Sequence, residues 1–297
     1  MNAKTTSASR FPHAAPRVAE ADCGFSRTYR GLLVGWGFAA LALISDPALA
    51  VAVAPPLNTA GSYTVLGTNS IPTSGTVTCT NSGPGSTING DVGSTFNSIT
   101  NTLCTITGAI NAPVALSVVT DFNNAYSALD TLNPVCDGVI PIVTTTLTPG
   151  VYCSVAGTTI GAGVILTLNG TATDVWVFKI GTGGTGAFTG NSFQVVMGGT
   201  ARACNVYWRT AQGATVTDSS FQGTILSGAA FTMTRGSYVG RAFATTDATV
   251  TDAAPMTFAG CGAAASTAAN IPTLSQWMYV LLGMLLAATG WIGFRRR

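Results

Sequence analysis

YWRTAQGATVTDSSFQG (207–223), TILSGAAFTMTRGSYVG (224–240) and RAFATTDATVTDAAPMT (241–257) follow one another without a gap and superimpose at a step of 17 residues. The matching columns are Thr215, Thr232 and Thr249, then Thr217, Thr234 and Thr251, with Val216, Met233 and Val250 between them. A unit this short cannot bury an apolar face alone, so the period reads as stacked coils of a β-solenoid. Strand side chains alternate between two sides, so the apolar middle residue points one way and both threonines the other. The six threonines form a grid, with rungs about 4.8 Å apart and the two threonines of a rung about 6.8 Å apart. Three rungs cover only about 10 Å by 7 Å, so a larger surface requires rungs from elsewhere in the chain. The competing reading is that Thr-x-Thr is simply good strand sequence, because β-branched residues suit a pleated surface.

The neighbouring columns support the same register. Asp218, Arg235 and Asp252 would stack with alternating charge, an arrangement that favours adjacent strands. Gly223 and Gly240 share a column where a tight corner wants no Cβ. Upstream, from Ser62 to Ile110, short β-branched runs such as SYTVLG and GTVTCT are broken by glycine, which implies short strands and turns. The stretch from Asn111 to Leu132 differs: Val118, Phe122, Tyr126 and Leu129 fall on one helical face. Asn111 is positioned to cap this helix, Pro113 to occupy its first turn and Asn133-Pro134 to end it. Its apolar stripe must be buried, along one side of the solenoid.

Both ends look like targeting segments. Residues 1–50 read as a signal peptide, with Lys4, Arg10, Arg17, Arg27 and Arg30 ahead of the apolar run Gly31 to Ile44 and a small-x-small site at Ala48-Leu49-Ala50. A retained membrane anchor is the alternative. The domain is expected over 51–261 and a flexible small-residue spacer over 262–270. Residues 271–297 hold IPTLSQW, an apolar helix over 278–294 near the lower length limit for a membrane span, and three terminal arginines. Ile271, Pro272, Thr273, Leu274 and Trp277, with that helix and basic end, resemble the IPTL-CTERM sorting signals of Gram-negative bacteria. The resemblance implies recognition by an exosortase-like membrane peptidase, with the tail anchored in the membrane before processing. Met278 departs from the glycine usual there.

Composition removes several function classes. Between residues 51 and 270 five cationic side chains face eight aspartates, a formal net charge of −3, so no basic stripe exists for nucleic acid. The sole histidine, His13, and the sole glutamate, Glu20, lie in the leader. A mature domain without either has no histidine base, no metal site of the usual His and Glu type and no glutamate acid/base pair. Asp218 and Asp252, two rungs apart, stand slightly too far from one another for paired carboxylate chemistry, and Arg235 between them favours a structural ladder. The chain therefore reads as a non-enzyme without cofactor or metal. Removing Cys23 with the leader leaves Cys79, Cys104, Cys136, Cys153, Cys204 and Cys261. An even count in an exported domain suggests disulfides, with Cys79–Cys104, Cys136–Cys153 and Cys204–Cys261 the expected set among many connectivities.

The order of SYTVLG, INGDVG (88–93), one helix containing AYSALD, TLTPGVY (146–152), DVWVFKIG (174–181), CNVYWR (204–209), FQGTIL (221–226) and GRAFA (240–244) resembles the DUF3494 ice-binding protein family. The resemblance runs from about Leu57 to Phe258. It implies an all-β fold: a right-handed β-solenoid of roughly triangular cross-section, discontinuous in sequence, with one long α-helix packed alongside and the terminal hydrophobic helices outside the domain. It also implies an ice crystal surface as partner, bound by one flat face. The grid threonines are the candidates, together with Thr182 and Thr185, because Thr182-Gly183-Gly184-Thr185 matches a Thr-Gly/Ala-x-Thr pattern found on the active face of some relatives. Hydroxyls at fixed spacing would order a water layer to match the lattice. An exported chain, at the cell surface or secreted, fits the targeting segments. The alternative is a structural surface protein or adhesin that binds polysaccharide or cells with the same fold. An aromatic-lined groove would favour that alternative, and a flat threonine face without aromatics would favour ice.

Overall fold

The computed structural model describes residues 51–69, 75–82, 85–96, 98–252 and 256–257. The expected signal peptide and spacer, the sorting motif with the helix expected after it, and Cys261 lie outside them. Among the described residues no helix is long and apolar enough to cross a membrane. What is described is mostly β, with one α-helix, and every strand pair is parallel.

The chain begins with β1 (Tyr63–Gly67), β2 (Val77–Thr80) and β3 (Thr87–Asn89), then repeats the circuit one level on with β4 (Asp91–Ser94), β5 (Ile99–Thr102) and β6 (Thr105–Ile106). After β7 (Ile110–Asn111) it enters α1 (Leu116–Thr131) and then β8 (Gly138–Val139) and β9 (Thr145–Leu147). Two full circuits follow: β10 (Gly150–Ser154), β11 (Thr158–Ile160) and β12 (Ile165–Gly170), then β13 (Trp176–Ile180), β14 (Phe188–Asn191) and β15 (Gln194–Gly199). After β16 (Val206–Thr210), β17 (Ala214–Ser227) and β18 (Phe231–Ala244) each turn two corners, and β19 (Ala248–Thr251) and β20 (Met256–Thr257) complete the last circuit.

Pairing sorts these strands into three parallel ladders. One runs β8, β10, β13, β16, the ends of β17 and β18, β1, β4 and β7. A second runs β11, β14, the starts of β17 and β18, β19, β2 and β5. A third runs β9, β12, β15, the middles of β17 and β18, β20, β3 and β6. Spatial order thus differs from covalent order. The first strands stack on the last, with Val65 opposite Ala242 and Val77 opposite Ala248, and α1 carries the chain from one end of the pile to the other.

Inward side chains of all three ladders meet in one core, including Phe178, Trp208, Phe188, Phe221, Tyr238 and Met233. Rings from successive levels lie on each other, Phe178 on Trp208 at 3.9 Å and Phe221 on Tyr238 at 4.8 Å between centroids, so a whole column of large apolar area is withdrawn from water. Corner glycines permit this stacking. Gly223 and Gly240 have φ of 117° and 152°, and a Cβ on Gly240 would strike the Gly223 carbonyl.

The first ladder is buried on both sides because α1 covers it. Val118, Phe122, Ala125 and Leu129 pack on Leu66, Val177, Tyr207, Leu226 and Phe243. The helix starts later than the sequence suggests. Asn111 is paired with Gly93 in β7, and the Val114 N–H donates to the Ser94 carbonyl at 2.9 Å, so backbone pairing holds the chain extended until Ala115. Ala112, which precedes Pro113, is also disfavoured in helix. Ala125 joins the buried stripe, and Tyr126 packs half-buried against the same cluster while its hydroxyl donates to the Thr210 carbonyl at 2.8 Å.

Beneath the helix, Lys179 and Arg209 stand on adjacent strands and share Asp130 at 3.5 and 2.9 Å, and Lys179 donates to the Asn133 carbonyl. Disulfides join Cys79 to Cys104 and Cys136 to Cys153, and Cys204 is disulfide-bonded as well. Phe122→Ala removes the ring at the centre of the helix contact and is expected to destabilise the fold by about 3–5 kcal/mol in urea denaturation followed by circular dichroism, while Asn124→Ala on the exposed side leaves the midpoint unchanged.

Candidate functional site

The second ladder carries the threonines. Its register aligns Thr159, Thr189, Thr215, Thr232, Thr249, Thr78 and Thr100 in one column. A second column holds Asn191, Thr217, Thr234, Thr251, Thr80 and Thr102. Between them Ile160, Gly190, Val216, Met233, Val250 and Cys79 are buried, so the flanking residues point outward. The six grid threonines read from the repeats are therefore the middle of a longer array. Seven rungs in the first column span about 29 Å at ordinary strand spacing, and the two columns stand about 6.8 Å apart.

Burial follows from this packing. Thr159, Thr189, Thr215, Thr100 and Thr102 are exposed, whereas Thr217, Thr232, Thr234, Thr249, Thr251, Thr78 and Thr80 are half-buried. Among the described residues no protein group is hydrogen-bonded to the hydroxyl of any threonine in either column. Those hydroxyls face solvent with donors and acceptors unspent. Cys79 lies between Thr78 and Thr80 and is tied to Cys104, just beyond β5, so a covalent bond joins the last two rungs from inside.

Six of these threonines, Thr159, Thr189, Thr78, Thr80, Thr100 and Thr102, fall outside the 17-residue repeats. A local signal for most of them exists all the same. Val77-Thr-Cys-Thr and Ile99-Thr-Asn-Thr have the form of Ala214-Thr-Val-Thr, an apolar residue followed by Thr-x-Thr, without the period. Thr182 and Thr185 stand in the turn between β13 and β14, exposed, outside both columns. The Thr182 hydroxyl donates to the Ser154 carbonyl at 3.3 Å.

Charged residues sit at the rims. Immediately after the second column the chain turns through the left-handed region at Ser192, Asp218, Arg235, Asp252 and Leu103, with φ between 51° and 62°. The expected alternation of charge is only half realised. Arg235 makes a fork with Asp218, Nε to Oδ1 at 2.6 Å and Nη2 to Oδ2 at 2.7 Å, whereas Asp252 turns to the next level and accepts from the Ser82 N–H at 2.6 Å and from its hydroxyl. A left-handed corner lets the carboxylate reach backbone N–H groups that a strand position could not. At the opposite rim Asp247 accepts from the N–H of Gly75, the N–H of Thr76 and the Thr76 hydroxyl.

These bonds set the carboxyl groups' proton affinity. The Arg235 side chain lowers Asp218 from its ordinary value, and Ser82 lowers Asp252. Burial acts to raise Asp247, but the bonds from Thr76 and Gly75 outweigh it and the net shift is downward. Asp247 and Asp252 both clamp the junction between the last circuit and the first.

A family model described as Ice-binding-like matches residues 73–256, and the IPTL-CTERM motif matches residues 269–297. The chain belongs to the ice-binding-like family. It is similar to an ice-binding protein of Flavobacterium frigoris (strain PS1), 33% identical over 152 residues that make up 50% of this chain and 52% of that protein. Ice-binding protein K3-B1 of Typhula ishikariensis is 31% identical over 223 residues, 66% of this chain and 88% of that protein. Among solved structures, an ice binding protein from an Antarctic Biological Consortium aligns with a TM-score of 0.58 and 25% identity, over 69% of this chain and 92% of that one.

Carboxyl groups with lowered proton affinity contribute stability above the unfolded value of about 3.9 and lose it as the pH falls through their folded values. Melting temperature is therefore expected to be flat from neutrality to about pH 5 and to fall below about pH 4. Asp247→Asn should lower the neutral plateau and make the acid limb shallower in thermal scans across that range.

Proposed function

We propose that this chain is an exported ice-binding protein that adsorbs through its threonine ladder, and that the three ladders wind as a right-handed β-solenoid of roughly triangular section. One observation carries the reading: two columns of outward threonine hydroxyls without protein hydrogen bonds, seven in the first column and five in the second, held in register. The names of its relatives support it. So does the position of the aromatic rings. Among the described residues Phe96 is the one exposed aromatic, and it lies outside both columns, so the face has no ring for a sugar to stack on.

Adsorption of this kind needs no strong individual contact. Each hydroxyl holds a water at a position fixed by the strand lattice, and each methyl discourages the ordinary, disordered hydration that would compete. Many weak contacts add only if their geometry is set beforehand, because ordering a mobile surface would consume the gain. Backbone pairing, the stacked core and Cys79–Cys104 set it here. Thr215, Thr217, Thr232, Thr234, Thr249 and Thr251 form the centre of the surface, with Thr182 and Thr185 at its margin as candidate accessory contacts.

The ends of the chain complete the proposal. Residues 1–50 act as the signal peptide, 51–261 as the domain closed by a Cys204–Cys261 disulfide, 262–270 as spacer and 271–297 as sorting signal with a membrane helix over 278–294. The tail match supports delivery to the cell surface or medium through an exosortase-like peptidase. No cofactor or metal is required.

The exported chain should give thermal hysteresis and inhibit ice recrystallisation in nanolitre osmometry and splat assays. Thr232→Tyr with Thr249→Tyr puts two rings on adjacent central rungs and should abolish both activities with the circular dichroism spectrum unchanged. Retention of activity in that variant would move the ice surface elsewhere on the molecule.

A further inference from the structure

The rim of the threonine face presents a problem that the columns themselves do not. Arg235 follows Thr234 directly, and its side chain is 54% exposed. It is the one cationic group at this corner, beside rungs Thr217, Thr234 and Thr251 in the middle of the array. An arginine stem is long enough to lie across neighbouring threonines. Its guanidinium would there orient water around a full charge, in competition with any lattice-like arrangement over the hydroxyls.

The structure assigns Asp218 the task of preventing this: we propose that the Asp218–Arg235 fork is a positioning device that holds the guanidinium on the rim, cancels its charge and keeps the central threonines open to ice. This rests on the ice-binding reading above. Three observations carry it. The fork is bidentate, with both bonds at 2.7 Å or less, so the planar group is fixed in direction as well as place. Both residues sit in the left-handed region, φ 51° and 53°, a conformation that costs non-glycine residues and that turns the side chains off the strand at the corner. Asp252, the other carboxylate near Arg235, is turned to the next level by the N–H and hydroxyl of Ser82, and among the described residues it makes no hydrogen bond to the guanidinium. The pair is exposed on both sides. An exposed pair of this kind contributes modestly to the pairing of its two strands, and its fixed direction also decides what the central threonines present to water.

The test compares the exported full chain with Asp218→Asn, and with Asp218→Asn combined with Arg235→Asn. Asparagine tolerates the left-handed region, so both corners keep their backbone. Asp218→Asn frees a charged Arg235 and is expected to lower thermal hysteresis by about half or more, and the double variant to return it to within about a fifth of the unaltered chain, the non-additivity expected of side chains that act through each other. Both variants lose the same exposed pair, so their melting temperatures should coincide with each other, slightly below that of the unaltered chain, and the difference in hysteresis between them is not one of stability. If Asp218→Asn matches the unaltered chain, or the double variant is as poor as the single, the positioning role is overturned while ice binding stands. If the unaltered chain itself lacks hysteresis, the ice reading fails and takes this one with it.

Discussion

Everything on the threonine face depends on one constraint, the register of parallel backbone hydrogen bonds that seats each circuit on the one before. A slip by a single residue would turn every threonine inward and every core residue out. The stack resists this from two directions. Inside, Phe178, Trp208, Phe221 and Tyr238 are too large to exchange places with threonine. At the corners, Gly240 over Gly223 leaves no room for a Cβ, so only one alignment of those two circuits closes. The hardest register to secure is where β18, β19 and β20 meet β1, β2 and β3, because Val65 and Ala242 are far apart in the chain and no turn connects them. Asp247 and Asp252 both reach across that seam, to Thr76 and Ser82. Closing so long a loop is entropically costly, and polar clamps that fit one alignment discriminate against its neighbours.

Three ladders give three outward surfaces, and they are not equivalent. The first is covered by α1 and buries Leu66, Leu226 and Phe243 beneath it. The third presents a mixture: Ile165, Gln194, Ser220 and Ser237 in one column, with Thr167 opposite Val196 and Gln222 opposite Val239 opposite Thr257 in another. Only the second repeats one residue type. Its single departure in either column is Asn191, beside Thr217. A strand position with buried neighbours and a solvent-facing side chain accepts many residues, as the third surface demonstrates. Uniformity on the second is thus not a consequence of strand formation, and it answers the objection that Thr-x-Thr is merely good strand sequence.

The same comparison explains what the sequence could and could not reveal. The period of 17 residues is visible only where circuits carry no insertion, between Tyr207 and Thr257. Thr189 and Thr159 belong to circuits lengthened by the turn holding Thr182 and Thr185 and by the loop after β12, so their place in the column is set by pairing and not by count. Thr78 and Thr100 were hidden for a different reason: they precede the helix in the chain yet follow Thr249 in space. Covalent order carries no trace of that seam. The helix itself was legible from its apolar spacing, but its start was not, because Asn111 and Val114 are held by partners in β4 that lie in another circuit. Local cues lose to tertiary pairing at such places.

The placement of charge completes the physical picture. Neither column of the second ladder contains an ionisable residue. Lys179, Arg209 and Asp130 are gathered under the helix, Asp121 is bound by Thr59, and Asp218, Arg235, Asp247 and Asp252 are drawn to the two rims. An ion binds its first water shell far more firmly than a hydroxyl does, and in directions dictated by its own field. If the threonine face orders water as proposed, its interior must exclude ions, yet a fold of tight corners needs carboxylates to satisfy the backbone N–H groups that those corners leave unpaired. Placing the acids one or two residues beyond the columns meets both demands. It leaves the rim as the boundary between charged side chains and an uncharged lattice of hydroxyls and methyls.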